Sequence, residues 1–360
     1  MKLSDFDFQV PEELIALRPA SPRDSARLLV VRGPEGRLED RSVSDLPELL
    51  KSGDILVAND TRVIRAALLG IRPARASDAP GQGANVEIEV NLNTRLSAAE
   101  WSAFARPGKR LKEADTIQFA GGLTATITTK SDAEVRLAFN RSGADLDAAI
   151  EAAGAMPIPP YIASKRAADE TDAGDYQTFF ARESGSVAAP TAGLHFTSDL
   201  LARLASAGVH RTDVTLHVNA GTFLPVKVDD VSEHRMHAEQ ATISAETVKA
   251  IQVARADGGR CIPIGTTALR TLESAAASGS LQAFNAPTSI FITPGYRFRV
   301  SDGLMTNFHL PKSTLFMLVS AMMGLEVMKR AYAHAVEKRY RFFSYGDACL
   351  LLPSQRSEHG

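Results

Sequence analysis

The sequence predicts a mixed α/β fold with a small β-barrel inserted into it. Three observations carry this. Apolar strand-like runs alternate with capped helical stretches at both ends of the chain, the pattern of an α/β sheet. Between about Ala66 and Arg141 the alternation stops, and short strands follow one another with Gly/Pro punctuation and no helix, as in a small barrel. A helical stretch over Asp145–Ala153 then returns the chain to its first architecture. The expected division is residues 1–65 and 142–360 as a discontinuous α/β domain and 66–141 as the inserted barrel. A chain of 360 residues is long enough for both.

In order, Pro11 opens a short helix to Ala16, and Leu28–Val31 reads as a buried strand. Ser44 or Asp45 caps a helix carrying Leu46, Leu49 and Leu50, stopped by Gly53. Ile55–Ala58 is the next strand and runs into Asn59-Asp60-Thr61-Arg62. A polar cluster past a strand's carboxyl end is where open α/β sheets place ligands; the plainer reading is an Asx turn with a surface arginine. The barrel strands are Ala67–Ile71, Val86–Val90, Leu123–Thr128 and Val135–Phe139, punctuated by Pro80-Gly81, Pro107-Gly108 and Gly121-Gly122. Arg106, Lys109, Arg110 and Lys112 share one turn, which suits an RNA backbone or simple solvation. Trp101, the only tryptophan, belongs to the barrel core or a hinge. Met156–Tyr161 is Pro-rich and reads as an extended linker; Asp169–Asp175 reads as polar and mobile.

Further on, Leu200–Ala207 is helical with Gly208 as its stop. Over Val209–Val218 a strand places Val214, Leu216 and Val218 on one face and Thr215, His217 and Asn219 on the other. Ala245–Ala256 is an amphipathic helix, Cys261–Ile264 a buried strand, and a helix through Glu273 follows Gly265-Thr266-Thr267. A strand leading through Gly-Thr-Thr into a helix start receives anions, because the first helical N–H groups are unpaired. The glycines and lysine of a P-loop are missing, so a nucleoside triphosphate is not expected. Ser289–Ile292 is a short strand, and helices run from Ser313 and over Glu326–Val336.

The net charge of −2 confines any nucleic-acid contact to a local basic patch. Cys261 and Cys349 lie in apolar runs without a Cys-x-x-Cys pair, as buried thiols in a reducing compartment do. Met1–Val10 carries Asp5 and Asp7 and has no apolar core, so it is not a signal peptide. The most apolar run, Leu315–Leu325, is far short of the ~20 residues of a membrane span. A soluble, cytoplasmic protein is expected.

Three separated stretches share one character: VAAPTAGLHFT (Val187–Thr197), LHVNAGTFLPV (Leu216–Val226) and TNFHLPKST (Thr306–Thr314). Each pairs a histidine with small or amide residues and a proline. Small residues leave backbone open to a ligand. The recurrence argues for one composite site built from distant loops. His195, His217, His234, His237 and His309 sit in such turns, while His210, His334 and His359 carry no such context. A metal reading of His234-x-x-His237-x-Glu239 with His217 has plausible spacing. The lack of His-Glu-x-x-His and of another acidic pair argues against it.

Together, NDTRVI, RPGKRL, MPIPPYI, VAAPTAGLHFT, VTLHVNAGTFLPV, EHRMHAE, IGTTALRTLES, TNFHLPKSTLFMLVSA and YRFFSYGDACLL resemble one family, the S-adenosylmethionine:tRNA ribosyltransferase-isomerases of queuosine biosynthesis. The segments span most of the chain from Leu14 to Leu352. Asn219 departs from the family, which usually shows Gly there, and Arg72–Asn85 carries little of its pattern. The resemblance implies transfer of the ribose part of S-adenosylmethionine to 7-aminomethyl-7-deazaguanine in a tRNA anticodon. Isomerisation to an epoxy-cyclopentanediol gives epoxyqueuosine, and adenine and methionine leave. It also implies a mixed α/β main domain with an inserted barrel.

A sulfonium acidifies the neighbouring C5′ protons, and histidine, unperturbed near ~6.5, suits their removal at cytosolic pH. On this reading His195 is the base, His217 orients substrate or donates a proton later, and His237 is a third catalytic group. Thr191, Gly193, Gly265, Thr266, Thr267, Asn307 and His309 are expected around S-adenosylmethionine, with the helix start facing its carboxylate. Arg62, Arg65, Lys109 and Arg110 are expected on tRNA phosphates. S-adenosylmethionine enters as a substrate; no metal, no membrane partner and a monomer are expected. The competing readings are a metal-dependent hydrolase using the histidine cluster and a non-catalytic RNA-binding protein.

Overall fold

Buried apolar runs set the main sheets. Arg27–Arg32, buried over its middle four residues, pairs in parallel with Ala348–Leu352 and antiparallel with the more exposed Arg37–Ser42. Leu304–Asn307 pairs antiparallel with the far side of Ala348–Leu352. A second sheet has the order Cys261–Pro263, Ile55–Asn59, His210–Leu216, Glu239–Ile243, Phe284–Thr288. Its first three strands are parallel and the rest antiparallel. One parallel bridge, Ile264 to Met305, joins the two sheets edge to edge. This is a computed structural model; it describes residues 1–75, 84–131, 134–223 and 226–353. Pro80-Gly81, Leu224, Pro225 and His359 of the sequence reading lie outside them.

Alternation along Arg27–Arg32 feeds two cores. Leu28 and Val30 pack with Leu56, Leu200, Leu204 and Ile262, whereas Leu29 and Val31 face Phe316, Met317 and Met328. Leu56 and Ile262 lie on the strands Ile55–Asn59 and Cys261–Pro263, and the other partners on the helices Ser198–Ser206, Thr314–Met323 and Leu325–Glu337. Thr197 and Ser313 cap the first two helices by accepting the N–H groups of Leu200 and Phe316, as their positions imply.

The barrel is closed. Ala67–Arg72, Val86–Arg95, Glu100–Arg106, Val135–Phe139, Thr124–Lys130 and Thr116–Gln118 pair antiparallel in that order, and Ile71 against Gln118 completes the circuit. The two-residue strand Gly154–Ala155 adds an edge to Ala67–Arg72. Trp101 is buried with Leu68, Val90, Ile117 and Leu137, so it is barrel core. The fold class is thus the expected one, a mixed α/β sheet system carrying a β-barrel.

Several elements differ from expectation. Glu100–Arg106, Thr116–Gln118, Leu304–Asn307 and Ala348–Leu352 are additional strands. The predicted Ser289–Ile292 strand is instead Phe284–Thr288, an edge strand that tolerates Pro287. Pro11–Ala16 forms only a single tight turn, Glu12–Leu14. Met156–Tyr161 does not stay extended: Pro160 opens a helical turn, Pro160–Ala163, where its missing N–H costs nothing. Asp172 is fully buried and accepts from Arg18 at 2.9 Å and Arg166 at 2.6 Å, so Asp169–Asp175 is a pinned segment rather than a free one. Among the described residues, no helix is long and apolar enough to cross a membrane.

Candidate active site

Where Ile264 bridges Met305, the carboxyl ends of Cys261–Pro263 and Leu304–Asn307 lie side by side. Gly265 turns away with φ +89°, a conformation glycine adopts freely, and its N–H donates to the Met305 carbonyl at 2.7 Å. The helix Thr266–Ala275 starts there. A cavity of about 750 Å³, its open mouth included, lies above this seam. Thr191, Gly265, Thr266, Thr267, Asn307 and His309 all line it, as do the paired rings of Tyr161 and Phe343. Gly193 does not. It packs on Thr178, whose Cγ2 would lie 3.0 Å from an added Cβ, so its smallness serves the tight turn Thr191–His195.

The polar groups of this wall are ordered by one another. Thr191 donates to Asn307 Oδ1 at 2.8 Å, which turns the Asn307 amide nitrogen toward His195 Nε2 at 3.3 Å. That nitrogen of His195 accepts, so its proton is on Nδ1. Burial, with the charges of Arg341 and Arg23, pushes His195 down to about 4. The ring is neutral and stands behind Asn307 rather than on the cavity. His309 is on the cavity; its Nε2 lies 3.0 Å from Thr306 Oγ1, and burial pushes it down to about 3. Thr267 Oγ1 is buried in the wall with no protein partner.

A second cleft runs between the barrel and the sheets. Arg62, Asn93, Arg95, Trp101, His217 and Asn219 line it. His217 follows the strand His210–Leu216, and its Nδ1 lies 2.9 Å from Thr61 Oγ1. Thr61 Oγ1 is in turn 3.4 Å from the Glu183 carbonyl. In the chain His217 Nδ1–H to Thr61 to that carbonyl, His217 Nε2 is left with its lone pair. Gly185 lets the neighbouring backbone approach the ring: an added Cβ would lie 3.1 Å from His217 Cε1. Burial lowers the His217 pKa, opposed by the charges of Asp60 and Glu183. Asp60 is itself held by Thr215 at 2.7 Å and Arg182 at 3.0 Å.

The predicted tRNA cations are split. Arg62 is exposed on the cleft. Arg65 pairs with Glu151 at 3.4 Å. Lys109 and Arg110 are exposed on the turn Gly108–Arg110, beyond the far end of the strand that begins beside Trp101. About 17 Å of strand separates Trp101 from Arg106. Arg95 takes a place the sequence reading did not give it, ion-paired to Asp147 and with its guanidinium 5.2 Å from the Trp101 ring centroid.

His237 is exposed in a third cleft with Lys227, His234, Arg235 and Arg270. Glu239, the carboxylate of the metal reading, is committed elsewhere: it accepts from Arg270 Nη1 and from the Asn219 N–H at 3.1 Å. Among the described residues, no three His, Cys, Asp or Glu side chains converge as a metal would need. The three clefts share a wall. Val218 lines the first, Asn219 the second and third, and Thr222 the first and third. The three histidine-bearing motifs therefore meet around one loop. Trp101 and Arg270 were missed as site residues, and Thr61 was read only as part of a polar cluster, not as the partner of His217. Arg270 had a signal: it stands four residues after Thr266, on the same helix face.

Cavity, clefts and fold together define an α/β protein with a closed barrel, in which a polar cavity at the sheet seam adjoins a charged cleft beside the barrel. The particular family follows from comparison. The model of the family described as "Queuosine biosynthesis protein" matches residues 3–351, and the chain belongs to that family. A protein named S-adenosylmethionine:tRNA ribosyltransferase-isomerase from Maricaulis maris is 61% identical over 353 residues, 98% of this chain and 99% of that one. The protein of the same name from Phenylobacterium zucineum is 58% identical, with 98% and 99% covered. The crystal structure of an S-adenosylmethionine tRNA ribosyltransferase from Thermotoga maritima is 33% identical and aligns over 97% of this chain and all of that chain, with a TM-score of 0.55.

Proposed function

We propose that this protein is a transferase-isomerase that moves the ribosyl part of S-adenosylmethionine onto tRNA in queuosine biosynthesis. The acceptor is 7-aminomethyl-7-deazaguanine in the anticodon; the products are epoxyqueuosine, adenine and methionine. The observation that carries the reading is full-length kinship with proteins named for this reaction. The geometry agrees with it. S-adenosylmethionine takes the seam cavity, against Thr191, Gly265, Thr266, Thr267, Asn307 and His309. The tRNA base enters the barrel-side cleft past Arg62 and Trp101. Val218 lines the cavity and His217 the cleft, so the two reactants meet at this dipeptide.

There, His217 Nε2 removes a C5′ proton made acidic by the sulfonium; the aminomethyl nitrogen bonds to the transferred ribosyl carbon skeleton and is retained, so that adenine and methionine are the only leaving groups. A lowered pKa keeps His217 neutral and able to accept that proton at neutral pH. Thr61 positions the ring through Nδ1. His195 positions Asn307 and does not touch the substrate. His237, exposed beside the third cleft, donates a proton later in the sequence. Lys109 and Arg110 with Arg62 and Arg65 contact phosphates away from the reacting base. Residues 1–65 and 142–360 form the catalytic domain and 66–141 the barrel domain, in keeping with barrel strands between Ala67 and Phe139. The protein acts as a cytoplasmic monomer without a metal; its buried free cysteines suit a reducing compartment. Mass spectrometry of precursor tRNA, incubated with the protein and S-adenosylmethionine, tests the whole reading. The mass of epoxyqueuosine is expected; an unchanged tRNA with intact S-adenosylmethionine would overturn it.

A further inference from the structure

The third cleft contains a cation without a complete set of partners. Arg270 is 5% exposed. Its Nη1 donates to Glu239 and its Nε, at 3.4 Å, to the Ile290 carbonyl, but Nη2 is buried with no protein partner. A guanidinium presents five N–H donors in a rigid fork, and a buried donor left unmade is costly. Such a vacancy beside a cleft is what an oxyanion fills. The surroundings favour one: Lys227, Arg235 and Arg270 bring three full positive charges against the two carboxylates Glu233 and Glu239.

This cleft adjoins the seam cavity through Thr222 and Leu315, which line both. The helix Thr266–Ala275 connects them as well. Thr266 and Thr267 face the cavity, and Arg270, four and three residues later, continues that face into the cleft. A ligand long enough to leave the cavity past Thr222 meets Arg270 next. S-adenosylmethionine has one anionic group, at the end of a flexible arm. We propose that Arg270 is the receptor for the α-carboxylate of S-adenosylmethionine, whose methionyl arm passes from the seam cavity over Thr222 into the third cleft. This rests on reading the cavity as the S-adenosylmethionine site. It moves the carboxylate from the helix start to Arg270, because a full charge with a spare donor attracts an anion more strongly than neutral N–H groups do. The helix start, beside the hydroxyls of Thr191, Thr266 and Thr267, is left for the ribose. A tRNA phosphate is the poorer candidate: a diester flanked by two nucleosides meets exposed Lys227 and Arg235 before a buried arginine. Occupation of Arg270 also bears on the shared loop, because Glu239 holds both Arg270 and the Asn219 N–H.

The test is calorimetry of the full-length protein with S-adenosylmethionine and with its decarboxylated form, which lacks only the carboxylate. The parent should bind the decarboxylated form on the order of 10- to 100-fold more weakly. Arg270→Gln should bind both forms with the same affinity, within a few-fold. The paired variant Glu239→Gln, Arg270→Gln avoids a lone buried carboxylate and should behave likewise if the single variant does not fold. Retention of the full carboxylate preference in the folded variant would overturn the assignment, as would a parent indifferent to the carboxylate. A variant that keeps that preference but binds tRNA more weakly would transfer Arg270 to a phosphate. A parent that binds neither form would overturn the functional reading itself.

Discussion

The seam cavity and the barrel-side cleft solve different problems with similar residues. In the cavity the polar groups are buried and bonded to one another, as in the Thr191–Asn307–His195 chain and the Thr306–His309 pair. Its histidines are held neutral far below their ordinary range by burial. In the cleft, His217 is only half-buried, Arg62 is exposed, and Arg95 reaches across to Asp147. The first arrangement buries its polar groups against one another, as small-molecule sites do; the second exposes cations, as sites for phosphate backbones do. One loop, Val218–Thr222, borders both. The difference suggests that the proton-moving group belongs on the open side, where solvent and the second reactant can reach it, and that the closed side orients.

The sharpest way to break this comparison is to exchange the fates of two histidines. His217→Gln should cost on the order of 10²–10⁴ in turnover while S-adenosylmethionine affinity stays within a few-fold. His195→Gln should cost less in turnover and more in affinity, because it disorders Asn307. Parallel measurement of kcat and of the calorimetric dissociation constant decides it. Full turnover in His217→Gln, with loss in His195→Gln, would move the base to the closed side.

The same contrast explains what could be read in advance. The motifs that carry the cavity are local, so Gly265-Thr266-Thr267 and Asn307-Phe308-His309 were visible as strings. The barrel was visible through its punctuation, yet Glu100–Arg106 was not, because Phe104 between Ala103 and Ala105 breaks the apolar–polar alternation. Leu304–Asn307 was hidden for a functional reason: Thr306 and Asn307 look like loop residues, but their polarity serves the cavity that the strand ends on. Arg270, His195 and Asp172 depend on partners 31, 112 and 154 residues away. No local pattern reports such pairings. His195 was singled out by its loop, but whether it faces ligand or another side chain is decided by Asn307, on the distant strand Leu304–Asn307.

Acid should find the closed side first. His195 and His309 are pushed down to about 4 and about 3, whereas in the unfolded chain both return to ~6.5. Their native pKa values are depressed, so the unfolded chain binds protons that the native state refuses as pH falls below ~6.5. Stability present above that value is lost on acidification. Between pH 7 and pH 5 the loss should be about 2 kcal/mol per buried histidine. The carboxylates held below their usual range, such as Asp54 and Asp172, contribute only at lower pH and do not confuse this window. Urea midpoints at pH 7 and pH 5 measure it, and His195→Gln should remove a large part of the difference. An unchanged pH dependence in that variant would mean that His195 is not the buried titrating group.

The smallest effect concerns how far the open side extends. Arg62 lies on the cleft, whereas Lys109 and Arg110 stand past the end of a strand that begins there, about 17 Å further on. A tRNA stem easily spans that distance, since duplex charges repeat every few ångströms along its axis. Each phosphate contact removed should lower the slope of log affinity against log salt by roughly one. Lys109→Ala, Arg110→Ala should therefore flatten the slope by up to about two, and leave turnover at saturating tRNA unchanged, because neither side chain approaches His217. Arg62→Ala should flatten it by about one and also lower turnover, because Arg62 lines the same cleft as His217. An identical salt slope in the double variant would confine tRNA to the cleft and leave the basic turn solvated.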